Sequence, residues 1–144
     1  MFDDNKKIKF EIVTPEKVVF KKEILQITVP TREGEITVLP KHIPLVSILK
    51  PGVIELKGID KKMEIISVSG GFIEVLRNKV VILADTAERA EEIDFDRAEE
   101  AKKRAEEEIK NIKHFDQERF TNISAQIAKE LARTKAVIRW RRAK

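Results

Sequence analysis

The sequence predicts an N-terminal antiparallel β-sandwich of about ten short strands, followed by a C-terminal hairpin of two helices. Up to about Ala84, apolar residues alternate in short runs that end at Gly, Pro or Asn. From Asp85 to Lys144 the chain contains neither Gly nor Pro, and its apolar residues recur at helical spacing. We therefore predict a sandwich domain over residues 1–86 and a helical hairpin over residues 87–144.

The predicted strands are short runs rich in β-branched residues, each followed by a turn signal. Ile8, Phe10 and Ile12 alternate onto one face, and Pro51-Gly52 and Gly70-Gly71 mark later turns. No helical segment separates the runs, which favours an antiparallel sandwich or barrel over βαβ units. The predicted strands cover residues 8–13, 17–21, 24–30, 36–39, 45–49, 53–57, 63–68, 72–76 and 79–83.

Two apolar stripes at helical spacing predict the helices. The first stripe has small residues in its middle and consists of Phe95, Ala98, Ala101, Ala105, Ile109 and Ile112. The second consists of Phe120, Ile123, Ile127, Leu131, Thr134 and Ile138. The pattern is interrupted between Asn111 and Asp116, which predicts a turn and hence an αα-hairpin. Because both stripes are narrow, we expect the hairpin to bury little area and to be displaceable by a partner or ligand.

Composition excludes several classes of protein. The chain has no Cys, and so no disulfide, thiolate metal site or Cys nucleophile. It has no run of about 18 apolar residues, and the acidic segment 1–5 lacks the order of a signal peptide, so we expect a cytoplasmic protein. Neither His42 nor His114 has neighbours at metal-ligand spacing, and no phosphate loop is present. We predict neither catalytic residues nor a metal site.

Positive charge is concentrated near the end of the chain. The net charge is +4, but residues 116–144 alone carry 8 Lys and Arg against 3 Asp and Glu. Such a surface can bind nucleic acid, an anionic membrane or an acidic protein, or it can be a solvated helix end. The basic tail over residues 139–144 has one Trp and no further aromatic residue, which disfavours nucleic acid. The basic residues of this helix are Arg119, Lys129, Arg133, Lys135, Arg139, Arg141 and Arg142.

One cluster at the start of the first helix could bind a ligand. Asp94, Arg97 and Arg104 share about a quarter of the helix circumference. Two guanidiniums could grip phosphate oxygens, and the carboxylate could accept from an adenine amino group or a ribose hydroxyl. The alternative is surface ion pairing, because Glu100 lies three residues after Arg97 and four before Arg104. Spacing alone favours the ion pairs.

Five motifs along the chain together indicate a protein family. The longest are Gly34-Glu-Ile-Thr-Val-Leu-Pro-Lys-His-Ile-Pro-Leu45, Val68-Ser-Gly-Gly-Phe-Ile-Glu-Val75 and Ala87-Glu-Arg-Ala-Glu-Glu-Ile-Asp-Phe-Asp-Arg-Ala98. The shorter ones are Val13-Thr-Pro and Leu49-Lys-Pro-Gly52. In these motifs, in their order and in the junction of a β-domain with a helical pair, the chain resembles the epsilon subunit of F-type ATP synthases along nearly its whole length.

The resemblance implies a ten-stranded sandwich with a helical pair, in a rotor subunit of the central stalk that does no chemistry itself. The sandwich would bind the gamma subunit and the rotor ring of the membrane sector, with Glu35 and His42 at the ring contact. The mobile hairpin would fold onto the sandwich, or extend to the alpha and beta subunits of the catalytic head and block ATP hydrolysis. Such a protein is peripheral, on the cytoplasmic face of the bacterial plasma membrane, and contacts the membrane only indirectly.

The resemblance also implies a regulatory ATP that holds the folded form, rather than a required cofactor. By motif match its ligands would be Glu88, Asp94, Arg97 and Arg104. Acidic neighbours depart from what a polyphosphate site favours and should weaken binding; they are Glu91, Glu92, Asp96, Glu99 and Glu100. Residues 36–39 and Lys41 replace the family's more usual glycines at two loop positions.

Two other classes of function are open to the same residues. The chain could be a β-sandwich adaptor that binds nucleic acid or an acidic protein through its basic C-terminal helix. It could also be a small-molecule sensor that binds nucleotide outside any synthase. Stable association with gamma indicates the rotor subunit, whereas salt-sensitive nucleic-acid binding indicates the adaptor.

Overall fold

The computed structural model describes residues 6–114 and 116–144. Within these residues the chain forms nine strands, a short 3-10 helix and two α-helices. The predicted sandwich followed by a helical pair is confirmed. The acidic segment 1–5 lies outside the described residues.

The strands follow the order of the predicted runs, with one merger and one addition. The strands are β1 (Ile8–Val13), β2 (Val18–Thr31), β3 (Gly34–Val38), β4 (Leu45–Leu49), β5 (Gly52–Gly58), β6 (Met63–Val68), β7 (Gly71–Val75), β8 (Lys79–Ala84) and β9 (Ala87–Arg89). They are hydrogen-bonded in the order β1-β8-β7-β4-β2-β5-β6-β9, and β3 pairs with β2. All pairs are antiparallel except β1 with β8, which is parallel.

Strand β2 joins the two layers of the sandwich. Its first half pairs with β1 and its second half with β3 and β5. We predicted two strands here, over residues 17–21 and 24–30. Lys22 and Glu23 instead continue the strand, where they pair with Phe10 and Lys9 of β1. The register shifts only after them, between Ile24 and Gln26, where β2 changes partners.

The sandwich core is filled by the alternating apolar residues of its strands. Ile8, Phe10 and Ile12 of β1 are all buried, and the Phe10 and Phe20 rings lie 5.7 Å apart. The Gly70-Gly71 pair serves close backbone packing: at Gly71, φ is +140° and a Cβ would fall against the carbonyl oxygen of Leu83. These two glycines therefore have a structural role in the β7–β8 hairpin.

The segment after β8 is not helical at first, contrary to our prediction. β9 pairs with β6, and the 3-10 helix Ala90–Glu92 follows it. The first helix, α1, begins only at Phe95 and ends at Lys110. The predicted domain boundary at residues 86 and 87 thus falls at the start of β9.

The second helix, α2 (Gln117–Ala143), packs against α1 and against the β5–β6 side of the sandwich. Each helix begins at an Asp whose carboxylate accepts from the backbone N–H three residues later. Asp94 caps α1 through Arg97, and Asp116 caps α2 through Arg119. In the described part of the chain, no helix is long and apolar enough to cross a bilayer.

Candidate functional site

The hairpin rests on the sandwich through a second, smaller apolar cluster. The sandwich supplies Val53 of β5 and Ile65 of β6, and α2 supplies Ala136 and Val137. Ala90 and Ile93, between β9 and α1, complete the buried part, and Phe95 and Trp140 are partly buried against it. The alanines on α2 allow close approach of the helix to the sheet. The hairpin is therefore folded onto the sandwich.

At this junction Arg133 of α2 lies between two carboxylates. Its Nε lies 3.1 Å from Oε1 of Glu88, and its Nη2 donates to Oε2 of Glu88 at 3.2 Å. Its Nη1 donates to Oε2 of Glu130 at 2.9 Å. Burial would lower the pKa of the Arg133 guanidinium, but Glu88 and Glu130 outweigh it and raise the pKa above its ordinary value. The arrangement ties α2 to β9 while neutralising Glu130, which is only 6% exposed.

The four residues expected to bind ATP have different roles in the folded structure. Glu88 is paired with Arg133, and the Asp94 carboxylate caps α1. Arg97 and Arg104 are exposed on α1. Among residues 6–114 and 116–144 neither forms an ion pair, so the alternative pairing with Glu100 is not formed. Their guanidiniums are therefore available to an anion.

Sequence reasoning placed Arg133 only among the basic residues of α2. Its spacing from Glu130 predicts the bond within the helix, since i and i+3 side chains are neighbours. The contact with Glu88 joins residues 45 apart in the chain and has no local signal. The Arg133–Glu88 contact is set by the packing of α2 on the sandwich.

The apolar stripe predicted on α2 is only partly buried, which corrects our expectation. Ile123 and Thr134 are buried, but Phe120, Leu131 and Ile138 are 42%, 39% and 39% exposed. The buried set instead includes Ala132, Ala136 and Val137. The reason is that α2 contacts two surfaces, α1 and the sandwich, so its buried face is turned away from the predicted stripe. We call the exposed residues Phe120, Leu131 and Ile138 the outer stripe.

The basic residues of α2 do not all face solvent freely. Arg119 pairs with Glu108 of α1 at 3.2 Å, and Arg139 pairs with Glu55 of β5 at 3.1 Å. The Arg141 guanidinium lies 5.1 Å from the Phe95 ring centroid. The remaining three, Lys129, Lys135 and Arg142, form no ion pair within the described residues. The positive surface of the folded hairpin is therefore smaller than the sequence predicts.

The residues expected at the rotor ring lie on β3 and in the loop that follows it. Glu35 is exposed on β3, and the His42 imidazole Nδ1 lies 2.7 Å from the carbonyl oxygen of Ile43. Lys41, beside His42, is exposed and has a φ of +67°. Leu39 and Ile43 are exposed in the same loop. The loop after β3 therefore presents apolar and charged side chains together.

A row of apolar side chains crosses the outer face of β4, β7 and β8. Ile48 is the register partner of Phe72, and Phe72 is the partner of Leu83. All three are exposed, Phe72 by 53% and Leu83 by 55%. The hairpin packs on β5 and β6 and leaves this row uncovered. A contiguous exposed apolar surface of this kind is typical of a protein interface. We call Ile48, Phe72 and Leu83 the sandwich row.

The chain as a whole is a β-sandwich with a folded-down helical pair, without a metal-binding cluster among its described residues. Two family models match it: the beta-sandwich domain of the ATP synthase Delta/Epsilon chain over residues 7–90, and the long alpha-helix domain of the same chain over residues 91–137. The protein belongs to the ATP synthase Delta/Epsilon chain family. As a member it is a non-catalytic, epsilon-type subunit.

Bacterial proteins described as ATP synthase epsilon chains are similar to it. The one from Desulforamulus reducens is 48% identical over 101 residues, which is 70% of this chain and 76% of the relative. The one from Nitratidesulfovibrio vulgaris strain DP4 is 43% identical over 134 residues, covering 93% of this chain and 96% of the relative. The resemblance stated from the motifs is thereby confirmed.

Solved structures share the fold. A chain in the cryo-EM structure of the Euglena gracilis mitochondrial ATP synthase (OSCP/F1/c-ring, rotational state 1) matches with a TM-score of 0.80 and 24% identity, over 92% of this chain and 82% of that one. A chain in the central stalk/c-ring structure from Tetrahymena thermophila matches with a TM-score of 0.62 and 19% identity, over 92% and 98%. At these identities the likeness extends to the fold alone.

Proposed function

We propose that this chain is a central-stalk subunit of a bacterial ATP synthase, which couples rotation to ATP synthesis and inhibits ATP hydrolysis through an extensible hairpin. The observation that carries the proposal is the sandwich row, an apolar surface that stays exposed while the hairpin packs on β5 and β6. The protein would act at the cytoplasmic face of the plasma membrane, held there by its partners.

Each exposed surface is assigned to a part of the complex. The sandwich row binds the gamma subunit, because burial of three large apolar side chains supplies the main driving force for stable association. Glu35 and the loop that contains His42 face the rotor ring. The outer stripe of α2 binds gamma and the alpha and beta subunits when the hairpin extends.

Inhibition rests on α2 having two apolar faces. The small residues Ala132 and Ala136 are buried in the folded state, whereas Leu131 and Ile138 are exposed in it. A helix with a second apolar face that is exposed in one state can exchange partners, which supports two states of similar free energy. Extension would stop hydrolysis, because the helix then meets the catalytic head.

A regulatory ATP would bind beside the junction and favour the folded state. Arg97 and Arg104 would contact phosphate oxygens, and Glu88 and Asp94 would accept from the nucleoside. Glu88 already pairs with Arg133, so the nucleotide would compete with Arg133 for this carboxylate. We therefore expect weak binding.

Capture of purified gamma by the full chain tests the anchoring. Phe72→Lys and Leu83→Lys place a charge within the sandwich row and should abolish capture. Ile59→Lys is the matched control, because Ile59 is a similarly exposed apolar residue in the β5–β6 turn. Capture that survives both row substitutions would overturn this assignment. Salt-sensitive capture of nucleic acid instead would favour the adaptor.

A further inference from the structure

We propose that the last turns of α2 form a clasp that holds the hairpin on the sandwich without any ligand. The clasp consists of Arg139, Trp140 and Arg141, three consecutive residues that contact three different parts of the fold. The proposal rests on the proposed function for its purpose, since a clasp regulates only a hairpin that moves. The contacts that define the clasp do not depend on that function.

Arg139 fixes the helix to the sheet. Its Nη1 donates to Oε1 of Glu55 at 3.1 Å. Glu55 lies in the middle of β5, where it is the register partner of Thr28 on one side and Ile65 on the other. The acceptor is thus held by a strand paired on both edges. An exposed pair of this kind is weak alone, so its effect depends on the neighbouring contacts.

Trp140 and Arg141 supply those contacts. The Trp140 ring is partly buried against the cluster of Val53 and Ile65, and the Lys144 ammonium lies 4.2 Å from its centroid. The Arg141 guanidinium stacks over Phe95, the first residue of α1. Consecutive helical residues point about 100° apart, so the three contacts hold the end of α2 over roughly half of its circumference.

The position of the clasp on α2 makes it an obstacle to release of the hairpin. With 27 residues α2 is about 40 Å long, and the clasp lies at the end farthest from the turn between the helices. Release of the hairpin must break these contacts, whichever end of α2 moves first. The family model for the helical domain matches only up to residue 137, so the clasp lies beyond the matched part of this chain.

Two of the contacts depend on charge, which makes the clasp sensitive to ionic strength. Salt screens the Arg139–Glu55 pair because both side chains are partly exposed. The apolar packing of Trp140 is not screened. The ligand-free protein should therefore hold the hairpin folded at low salt and loosen it at high salt.

Trp140 itself reports the state of the clasp. It is the single Trp in the chain, and there is no Tyr, so the fluorescence comes from this ring. Acrylamide quenching is measured on the full chain without nucleotide or partner subunits. In Glu55→Gln and Arg139→Gln the quenching constant should rise about twofold, because the ring face on Val53 and Ile65 becomes accessible. The control is Arg142→Gln, two residues after the ring, whose side chain is exposed and forms no ion pair within the described residues. It should match the unaltered chain.

Two further measurements guard against a local effect or misfolding. Because the chain has no native Cys, spin labels can be placed on Asp60→Cys and Ala143→Cys, and their separation should widen in Glu55→Gln. The charge swap Glu55→Arg with Arg139→Glu should restore both protection and separation. Far-ultraviolet circular dichroism should be unchanged throughout.

The clasp would be contradicted if the quenching constant and the separation of the spin labels were the same in all variants. A charge swap that restores neither would also contradict it, since the pair would then have no specific role. These outcomes are distinct from failure of the proposed function. Loss of the clasp with gamma capture intact contradicts only the clasp, and intact Trp140 protection without gamma capture contradicts only the assignment as a stalk subunit.

Discussion

Arg133 of α2 reaches across to Glu88 of β9, with 3.1 Å between its Nε and Oε1 of the carboxylate. The contact joins the helical hairpin to the sandwich at the point where the two meet. It also uses a carboxylate that the family resemblance assigns to nucleotide. The folded state thus has an internal cation where a ligand would bind.

Replacing Arg133 should destabilise the folded hairpin. Arg133→Ala leaves the buried Glu130 carboxylate without its cation, and a buried charged group that loses its partner costs roughly 2–3 kcal/mol. The midpoint of urea unfolding, followed by circular dichroism, is the measurement. Lys129→Ala on the same helix removes a cation without an ion pair and serves as the control. Equal midpoints for the two variants would show that the Arg133 contacts contribute nothing.

Asp94 has a capping role and a proposed ligand role, and one pair of substitutions separates them. Asp94→Ala removes the cap and should destabilise α1 by about 1 kcal/mol. Asp94→Ser keeps a capping oxygen and should leave the helix intact. If Asp94 also binds ATP as a carboxylate, both variants should lose the heat of ATP binding in calorimetry. ATP heats unchanged in Asp94→Ser would restrict Asp94 to capping.

Arg97 and Arg104 can be tested without disturbing the fold, because neither forms an ion pair in the described residues. Each Arg→Ala change should leave the unfolding midpoint unchanged. Each should weaken ATP binding by roughly 1.5–3 kcal/mol, the contribution of a charge-assisted hydrogen bond. Lys103→Ala, on the same helix, is the control for loss of positive charge. No ATP heat at millimolar nucleotide, even in the unaltered chain, would remove the regulatory site.

Gly71 should tolerate no side chain. Gly71→Ala combines a left-handed φ with a clash against the Leu83 carbonyl, so destabilisation should exceed about 3 kcal/mol. Gly34→Ala is a matched control, since φ is +126° there and nothing lies within 4 Å of the added Cβ. It should cost only about 1 kcal/mol. Thermal unfolding of both variants gives the comparison, and equal losses would mean that the close packing at Gly71 is relieved.

Local signals predicted most of the sandwich. Gly and Pro turns between alternating apolar runs located eight of the nine described strands, because register and burial repeat every two residues. Strand β9 has three residues and no alternation to detect. Its place is set by pairing with β6, a contact between residues distant in sequence. The break predicted within β2 is wrong for the same reason, because Lys22 and Glu23 continue the strand by pairing with β1.

The helices show more clearly what a periodic apolar pattern does not predict. A 3.6-residue stripe locates one apolar face, but α2 packs on α1 and on the sandwich at once. Ala132 and Ala136 carry little hydrophobic signal, yet they are buried because their size suits close packing. Leu131 and Ile138 carry a strong signal and are exposed. The sequence pattern detects apolar faces but does not tell which is occupied in the folded state.

The ATPase rate of the assembled enzyme tests the central claim, that the outer stripe of α2 is the inhibitory surface. The double change Leu131→Glu and Ile138→Glu alters residues exposed in the folded state, so Trp140 protection should be retained. Contacts of the extended helix would be lost, and ATP hydrolysis should rise severalfold, towards the rate obtained when residues 116–144 are deleted. Ala125→Glu, exposed on another face of α2, should leave the rate unchanged. A rate identical in the unaltered, double-substituted and truncated enzymes, over a range of ATP concentrations, would contradict inhibition and leave the chain a coupling subunit only.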